Sequence, residues 1–328
     1  MLLCASASGP AAVQQPGTEW NLLPPNPVAQ KTKDTLEGFE KHACAACHQT
    51  IAKEWAATRH AQAWVESLYI EELAKVRKPA KCHGCHAPRP LLITGVSKKP
   101  KLRSVDPHFG VDCNACHLDA NGAVHGPTGI ATEAHVSVQS GLFTDTGSNE
   151  LCYGCHSRSI GPVIGIARDF DDEDLGDSGF SCVGCHMASA ERPVANDPET
   201  GVAGPLRPGR SHALQTPRDP HFLRQAFDLR VEQRQTIKGL VIANRAGHRV
   251  PGLNDRVLQF ELEALGADNS VLKAETLTIS RETPLDLGEE LWFVLPAGAE
   301  NARVRAKHTA KSLECAVLFC DESLPVDS

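Results

Sequence analysis

CAACH at residues 44–48, CHGCH at 82–86, CNACH at 113–117, CYGCH at 152–156 and CVGCH at 182–186 are five copies of one pentapeptide, C-x-x-C-H. Two thiols held one helical turn apart can add across the two vinyl groups of a porphyrin. A histidine directly after them swings its imidazole beneath the ring to bind the iron. The spacing therefore makes Cys44, Cys47, Cys82, Cys85, Cys113, Cys116, Cys152, Cys155, Cys182 and Cys185 candidate thioether anchors for five haems c. His48, His86, His117, His156 and His186 become the proximal iron ligands. A zinc site needs two cysteine pairs on one metal and gives no reason for a histidine after every pair. A dithiol redox pair explains one such motif, not five.

Ten of the 13 cysteines sit in these motifs, so the count does not describe a disulfide framework. Cys315 and Cys320 lie outside them, five residues apart in a strand-like run where their side chains face opposite ways. Two buried thiols are expected there; a disulfide would need a bend. Aromatic residues make up only 5% of the chain and methionine occurs twice, so something other than large side chains must fill the core beside the motifs. Porphyrins would do so. Haem is ligated to such cysteines outside the cytoplasmic membrane, which implies an exported protein, periplasmic or extracellular. MLLCASASG at residues 1–9 reads as the tail of a signal peptide, with Ala5-Ser6-Ala7 suited to cleavage. No stretch of about 20 apolar residues is present to span a membrane. The formal charge of −7 argues against nucleic acid as a partner. It suits redox proteins with basic patches, and haem propionates would deepen it.

The sixth iron ligand separates electron transfer from substrate chemistry. Met187 adjoins His186 too closely to reach the far face of the same ring, which leaves histidines. Ten lie outside the motifs: His42, His60, His83, His108, His125, His135, His212, His221, His248 and His308. The composition of Gln49 to Val65 predicts a helix, along which His60 would stand roughly 18 Å from His48 and so serve a different iron. His125, His135, His212 and His248 complete the expected distal set. His248 sits in AGHRVP, residues 246–251, where Gly247 and Pro251 would fix a turn. His42 and His83 are cramped by their own motifs; His108, His221 and His308 are reserves. Two histidines per iron and no methionine imply low reduction potentials.

Along the chain, residues 1–35 read as a signal-peptide remnant and proline-rich leader, 36–226 as a pentahaem cytochrome c domain, and 227–328 as a separate β domain. Seven short alternating runs support the last: Asp228–Gln233, Thr236–Ile242, Val257–Leu265, Val271–Ile279, Leu291–Leu295, Ala302–Lys307 and Ser312–Phe319. The expected fold is mixed: a mostly α-helical and irregular multihaem domain, then an all-β sandwich of immunoglobulin-like type.

CAACH followed by Glu54-Trp55 and by Thr58-Arg59-His60-Ala61 resembles the first-haem segment of the cytochrome c-554 type of multihaem cytochrome. C-x-x-C-H-x-P at 82–88, GVDC at 110–113 with the trailing His125, His135 with NELC at 149–152, and Met187 with Arg210-Ser211-His212 are also similar to it. The resemblance runs from about Gly38 to Phe227. It implies short helices around stacked haems, electron transfer, a distal role for His60, and His212 as partner of the last haem. Known members of that type bind four haems where this chain has five motifs, so haem order is not carried over. AGHRVP resembles a motif of larger multihaem proteins with an appended β domain, which implies a ligand role for His248. Electron transfer through bis-histidine haems is the leading expectation, and it leaves no catalytic residue to name. Its alternatives are an oxidoreductase with one open haem acting on a small nitrogen or sulfur species, and a subunit of an extracellular cytochrome filament.

Overall fold

The computed structural model describes residues 43–161 and 163–326. The leader expected for residues 1–35, and His42, lie outside the described residues. In chain order the α-helices are α1 (Ala43–Cys47), α2 (Gln49–Ala56), α3 (Ser67–Lys75), α4 (Ala80–His86), α5 (Leu91–Thr94), α6 (Cys113–His117), α7 (Asn149–His156), α8 (Ile166–Asp172), α9 (Cys182–His186) and α10 (Pro220–Arg224). The described residues form two compact units. One takes residues 43–155 and 176–214, the other 156–175 and 215–326.

The first unit is built from the motif helices, each little more than the turn that C-x-x-C-H requires. Asp112 caps α6 by accepting from the Ala115 N–H, and Ser181 caps α9 by accepting from the Gly184 N–H. The residue before the second cysteine is glycine in α4 and α7 for a packing reason. A Cβ on Gly84 would overlap the Pro100 carbonyl oxygen, and one on Gly154 would stand 2.9 Å from the Lys98 carbonyl. Both helices therefore lie against the same stretch of chain. Two small β pairs complete this unit: β1 (Val124–Gly126) runs parallel to β2 (Ser137–Gln139), and β3 (Ser189–Pro193) antiparallel to β4 (Leu206–Arg210). Its side-chain core is thin: Ala45, Ala52, Trp55, Ala56, Ala61 and Phe109 form one cluster, and Tyr69, Ala87, Leu91, Ala115 and Ala123 are buried apart from it.

The helix expected over Gln49–Val65 stops at Ala56. Thr58 ends it: its hydroxyl donates to the Trp55 carbonyl at 2.7 Å and accepts from the Ala61 N–H, replacing helical hydrogen bonds with a turn. The distance argument for His60 therefore fails in its premise, and the placement of His60 rests on contacts described below.

The second unit holds all seven expected strands: β5 (Phe227–Arg234), β6 (Ile237–Asn244), β7 (Val257–Leu265), β8 (Val271–Ile279), β9 (Glu290–Val294), β10 (Asn301–Thr309) and β11 (Val317–Pro325). They form a three-stranded sheet, β5-β6-β9, and a four-stranded one, β11-β10-β7-β8, with every pairing antiparallel. Strict alternation of buried and half-buried residues along β7 and β10 gives one inward face, as the period-two pattern requires. Phe227 from the smaller sheet meets Phe260 edge-on at 5.2 Å and Phe319 at 5.9 Å, so both sheets feed one core. The last strand starts five residues later than its sequence pattern suggests. Leu313 closes a turn onto Ala310, and pairing with β10 begins only at Val317. Cys320 is consequently in the strand, buried and free, and is not bonded to Cys315, which is half-buried and itself disulfide-bonded.

The stretch 156–175, inside the motif array by sequence, packs with these strands. Arg249 holds Asp169 of α8 through Nη2 at 2.7 Å and Nε at 2.8 Å, and the Arg249 backbone N–H adds a third bond. The turn of AGHRVP is pinned as well: Asn244 donates to the His248 carbonyl and accepts from the Ala246 N–H, with Gly247 at φ +74°.

Candidate haem-binding sites

None of the ten motif cysteines is in a disulfide, and their thiols stand here for the thioether sulfurs they would become. The motifs abut in pairs. The neighbouring Cys44 is the largest influence raising the Cys113 thiol well above its ordinary value, and Cys182 acts in the same way on Cys152.

The proximal histidines show how the chain prepares a metal ligand. His48 Nδ1 lies 2.7 Å from the Val194 carbonyl, His86 Nδ1 2.6 Å from the Ala63 carbonyl, and His117 Nδ1 2.7 Å from the His125 carbonyl. A carbonyl only accepts, so Nδ1 carries the proton in each ring and Nε2 keeps its lone pair. This is the outer-shell arrangement that fixes tautomer and orientation in histidines that bind metals. Burial, the largest influence, lowers the proton affinity of His86 and His117, which favours the neutral, ligating form. His156 and His186 end α7 and α9 in the same position relative to their cysteines.

The expected distal histidines are placed as follows. His135 turns Nδ1 to the Ser137 hydroxyl at 3.3 Å, and its ring centre lies 6.4 Å from that of His48. His212 directs Nδ1 to the Arg210 carbonyl at 3.1 Å, and its ring centre lies 6.3 Å from that of His117. The resemblance pairs His212 with the last motif, whereas its ring faces the third. His125 offers an orphan atom: Nε2 meets the Asp119 carboxylate at 3.1 Å, while Nδ1 is buried with no hydrogen-bond partner. His60 gives its carbonyl to the Val111 N–H, which sets it beside the third motif rather than its own. His248 belongs to the other unit, with Nδ1 2.8 Å from the Arg249 carbonyl. The orphan nitrogen of His125, the anchored Nδ1 atoms and the thin side-chain core all fit porphyrin-bound iron.

Among the reserves, His108 and His221 are exposed, and His308 is only 2% exposed within the β core. His83 accepts or donates a 2.8 Å hydrogen bond with Tyr69.

Of the supporting residues, Glu54 and Arg210 lie in stretches that carry the resemblance, whereas Arg192, Tyr69 and Phe143 lie in no motif. Glu54 and Arg192 form an ion pair, Glu54 Oε2 accepts from the His212 N–H at 2.7 Å, and Arg192 donates to the Arg210 carbonyl that orients the same imidazole. Burial pushes His212 down to about 4, and the charges of His117 and Arg192 act in the same direction. Tyr69 stacks on His86 with ring centres 3.7 Å apart, and Phe143 on His117 at 4.6 Å. Scarcity was the available signal: with so few aromatic residues, Trp55, Trp64, Tyr69, Phe109 and Phe143 each meet a specific partner.

Residues 43–118 match the family described as cytochrome c554 and c-prime, and residues 107–160 match a doubled CXXCH motif. A solved structure, that of a penta-heme cytochrome c552 from Thermochromatium tepidum, resembles this one with a TM-score of 0.55 at 17% sequence identity. The likeness covers 87% of this chain and 98% of that one, and at such identity it speaks for the fold alone. No curated protein sequence matches the chain.

Proposed function

We propose that the chain is a multihaem c-type cytochrome that conducts electrons through five bis-histidine haems c held at the five cysteine pairs. Bound haem c would supply the one-electron carrier; the chain supplies spacing, orientation and exclusion of water. The observation that carries this reading is the tether of Nδ1 to a backbone carbonyl in His48, His86 and His117, which leaves Nε2 for an iron beside three of the five thiol pairs. The abutting thiols of the first and third motifs, and of the fourth and fifth, support close haem edges between which electrons can pass.

His48, His86, His117, His156 and His186 are the proximal ligands in this reading, and His60, His125, His135, His212 and His248 the distal ones. His125 would bind through Nδ1, because Asp119 already engages Nε2. With imidazole on both faces of each iron, exogenous ligands would find no open position, and potentials would be low.

The two sheets of the β unit would pack as an immunoglobulin-like sandwich, a reading supported by their strand orders and shared aromatic core. Thioether attachment puts the mature protein outside the cytoplasmic membrane, in the periplasm or beyond the cell, where redox proteins would be its partners. No helix among the described residues is long and apolar enough to cross a membrane.

Maturation in a haem-ligating host tests the reading. Five haems per chain by pyridine haemochrome and intact mass, with low-spin ferric resonance spectra and reversible reduction, are expected. A colourless product, or one with the mass of the bare polypeptide, would overturn it.

A further inference from the structure

We infer that the exposed face around the second motif is a docking surface for a soluble redox protein with an acidic patch, and that electrons enter or leave the chain there. The inference rests on the haem reading and adds a place of exchange. Its partner is opposite in sign to the one that the overall charge suggests.

Charge is the first argument. Residues 73–105, which enclose Cys82, Cys85 and His86, hold nine of the 33 lysines and arginines and none of the 40 acidic residues. The net charge of −7 is therefore carried by the rest of the sequence. Steering follows the local field near the point of contact, so a cationic face can recruit an acidic partner to an acidic protein.

The fold gathers these cations on the motif. Arg77 and Lys78 lead into α4, and Lys81 stands in its first turn. Lys98, Lys99 and Lys101 surround Pro100, whose carbonyl occupies the space that a Cβ on Gly84 would need. The Arg89 N–H donates to the Lys101 carbonyl and the Arg103 N–H to the Ala87 carbonyl, both at 2.8 Å, which sets Arg89 beside Lys101. Burial and Cys85 raise the Cys82 thiol, and the Lys99 charge is near enough to act against them.

These cations also lack counter-charges. Lys75 and Arg103 are paired, with Glu72 and Asp112. The other seven residues are exposed, and among the described residues none has a carboxylate partner. Cations elsewhere are matched more often: Arg59 by Glu66, Arg192 by Glu54, Arg230 by Glu290 and Arg303 by Asp321. The two propionates of a haem bound at this motif would leave most of the seven uncompensated. Ile93, Leu102 and Val105 in the same stretch are 40%, 42% and 65% exposed, apolar area of the kind an interface buries inside a charged rim. One electron would pass between the partner's redox centre and a haem, reducing one and oxidising the other, with no bond made or broken.

The test uses the holoprotein with reduced plant-type ferredoxin, an acidic [2Fe–2S] protein, as the probe. The second-order rate of haem reduction is expected to fall as salt rises, whereas repulsion from a net-negative protein would make it rise. Lys98→Glu/Lys99→Glu/Lys101→Glu should slow the reaction about tenfold at low ionic strength, with haem content and spectra unchanged. Arg207→Glu/Arg281→Glu/Lys311→Glu makes the same change in net charge at exposed residues elsewhere and should slow it less than about twofold. Carbodiimide coupling of the unaltered holoprotein should join ferredoxin carboxylates to Lys78, Lys81, Lys98, Lys99 or Lys101, read by peptide mass. A rate that rises with salt, equal slowing by the two triple variants, or cross-links to other lysines would overturn the docking face and leave the five-haem reading intact. So would self-association, or binding to anionic phospholipid vesicles, that the first variant abolishes while its ferredoxin rate stays unchanged. A holoprotein without haem at the second motif would overturn both.

Discussion

Replacing Glu54 with alanine attacks the support of His212 rather than any ligand. The Glu54 carboxylate pairs with Arg192 and accepts the His212 N–H, and the two side chains are 22% and 10% exposed. Removing one partner of a buried ion pair costs about 3–5 kcal/mol, because the other charge is left uncompensated. Water reaches roughly a fifth of Glu54, so the lower part of that range applies. The orphaned His212 N–H adds about 1 kcal/mol more, and the two losses overlap rather than add. A net loss of about 3 kcal/mol is expected, read as a shift in denaturant midpoint of the ferric holoprotein at constant m-value. The control is Glu54→Leu with Arg192→Leu, which removes both charges and should cost clearly less than Glu54→Ala alone. A high-spin fraction should appear in Glu54→Ala as His212 loses its alignment. A single variant as stable as the parent, or a double variant no better than the single, would refute the idea that this pair positions the imidazole.

Further outcomes follow from other parts of the structure. Phe260→Ala removes the ring that meets both Phe227 and Phe319 and should cost about 3–5 kcal/mol in unfolding of the β unit, with haem spectra unchanged. Burial, with Arg256 second, holds His308 down to about 4 against 6.5 when unfolded. The unfolded chain therefore takes up a proton that the folded one refuses, so stability is full above pH 6.5 and falls as pH drops toward 4. The loss is on the order of 3 kcal/mol at most, and His308→Leu should flatten that slope in pH-dependent denaturation. Gly84→Ala drives a methyl group into the Pro100 carbonyl, and the backbone shift should cost about 1–3 kcal/mol and lower haem occupancy at the second motif by intact mass.

How much was legible in the sequence differs between the two units for a physical reason. The β strands were readable because one face of each sheet packs on the core, so alternation at period two is imposed by burial. Only β11 moved, since a turn closed by backbone bonds at Ala310 and Leu313 leaves no mark on hydrophobicity. The motif helices were readable because thioether chemistry fixes their length. Between motifs, helix propensity misled: one threonine hydroxyl at Thr58 was enough to end α2. The ten non-proximal histidines could be found by inspection, but not which faces which. That information lies in carbonyls such as Val194 and Arg210, and a carbonyl has no sequence signature.

The units also differ in what must be present for them to fold. The β unit closes nineteen buried residues around its own aromatic cluster and has a hydrophobic reason to be compact. The cluster in the motif unit joins six buried residues, four of them alanine, which is little apolar surface to set against the entropy of ordering its chain. Its remaining cohesion would come from ligation. If histidines distant in sequence close the irons that the motif histidines bind, long loops are closed by metal bonds. Loop-closure entropy grows only as the logarithm of length, so long closures cost little more than short ones once the bonds form. Attachment and folding of residues 43–155 and 176–214 then become one coupled process, as in other domains whose metal supplies the folding energy. The carbonyls of Val194, Ala63 and His125, which hold Nδ1 of His48, His86 and His117, would make this coupling specific, because they leave Nε2 of each ring for the iron.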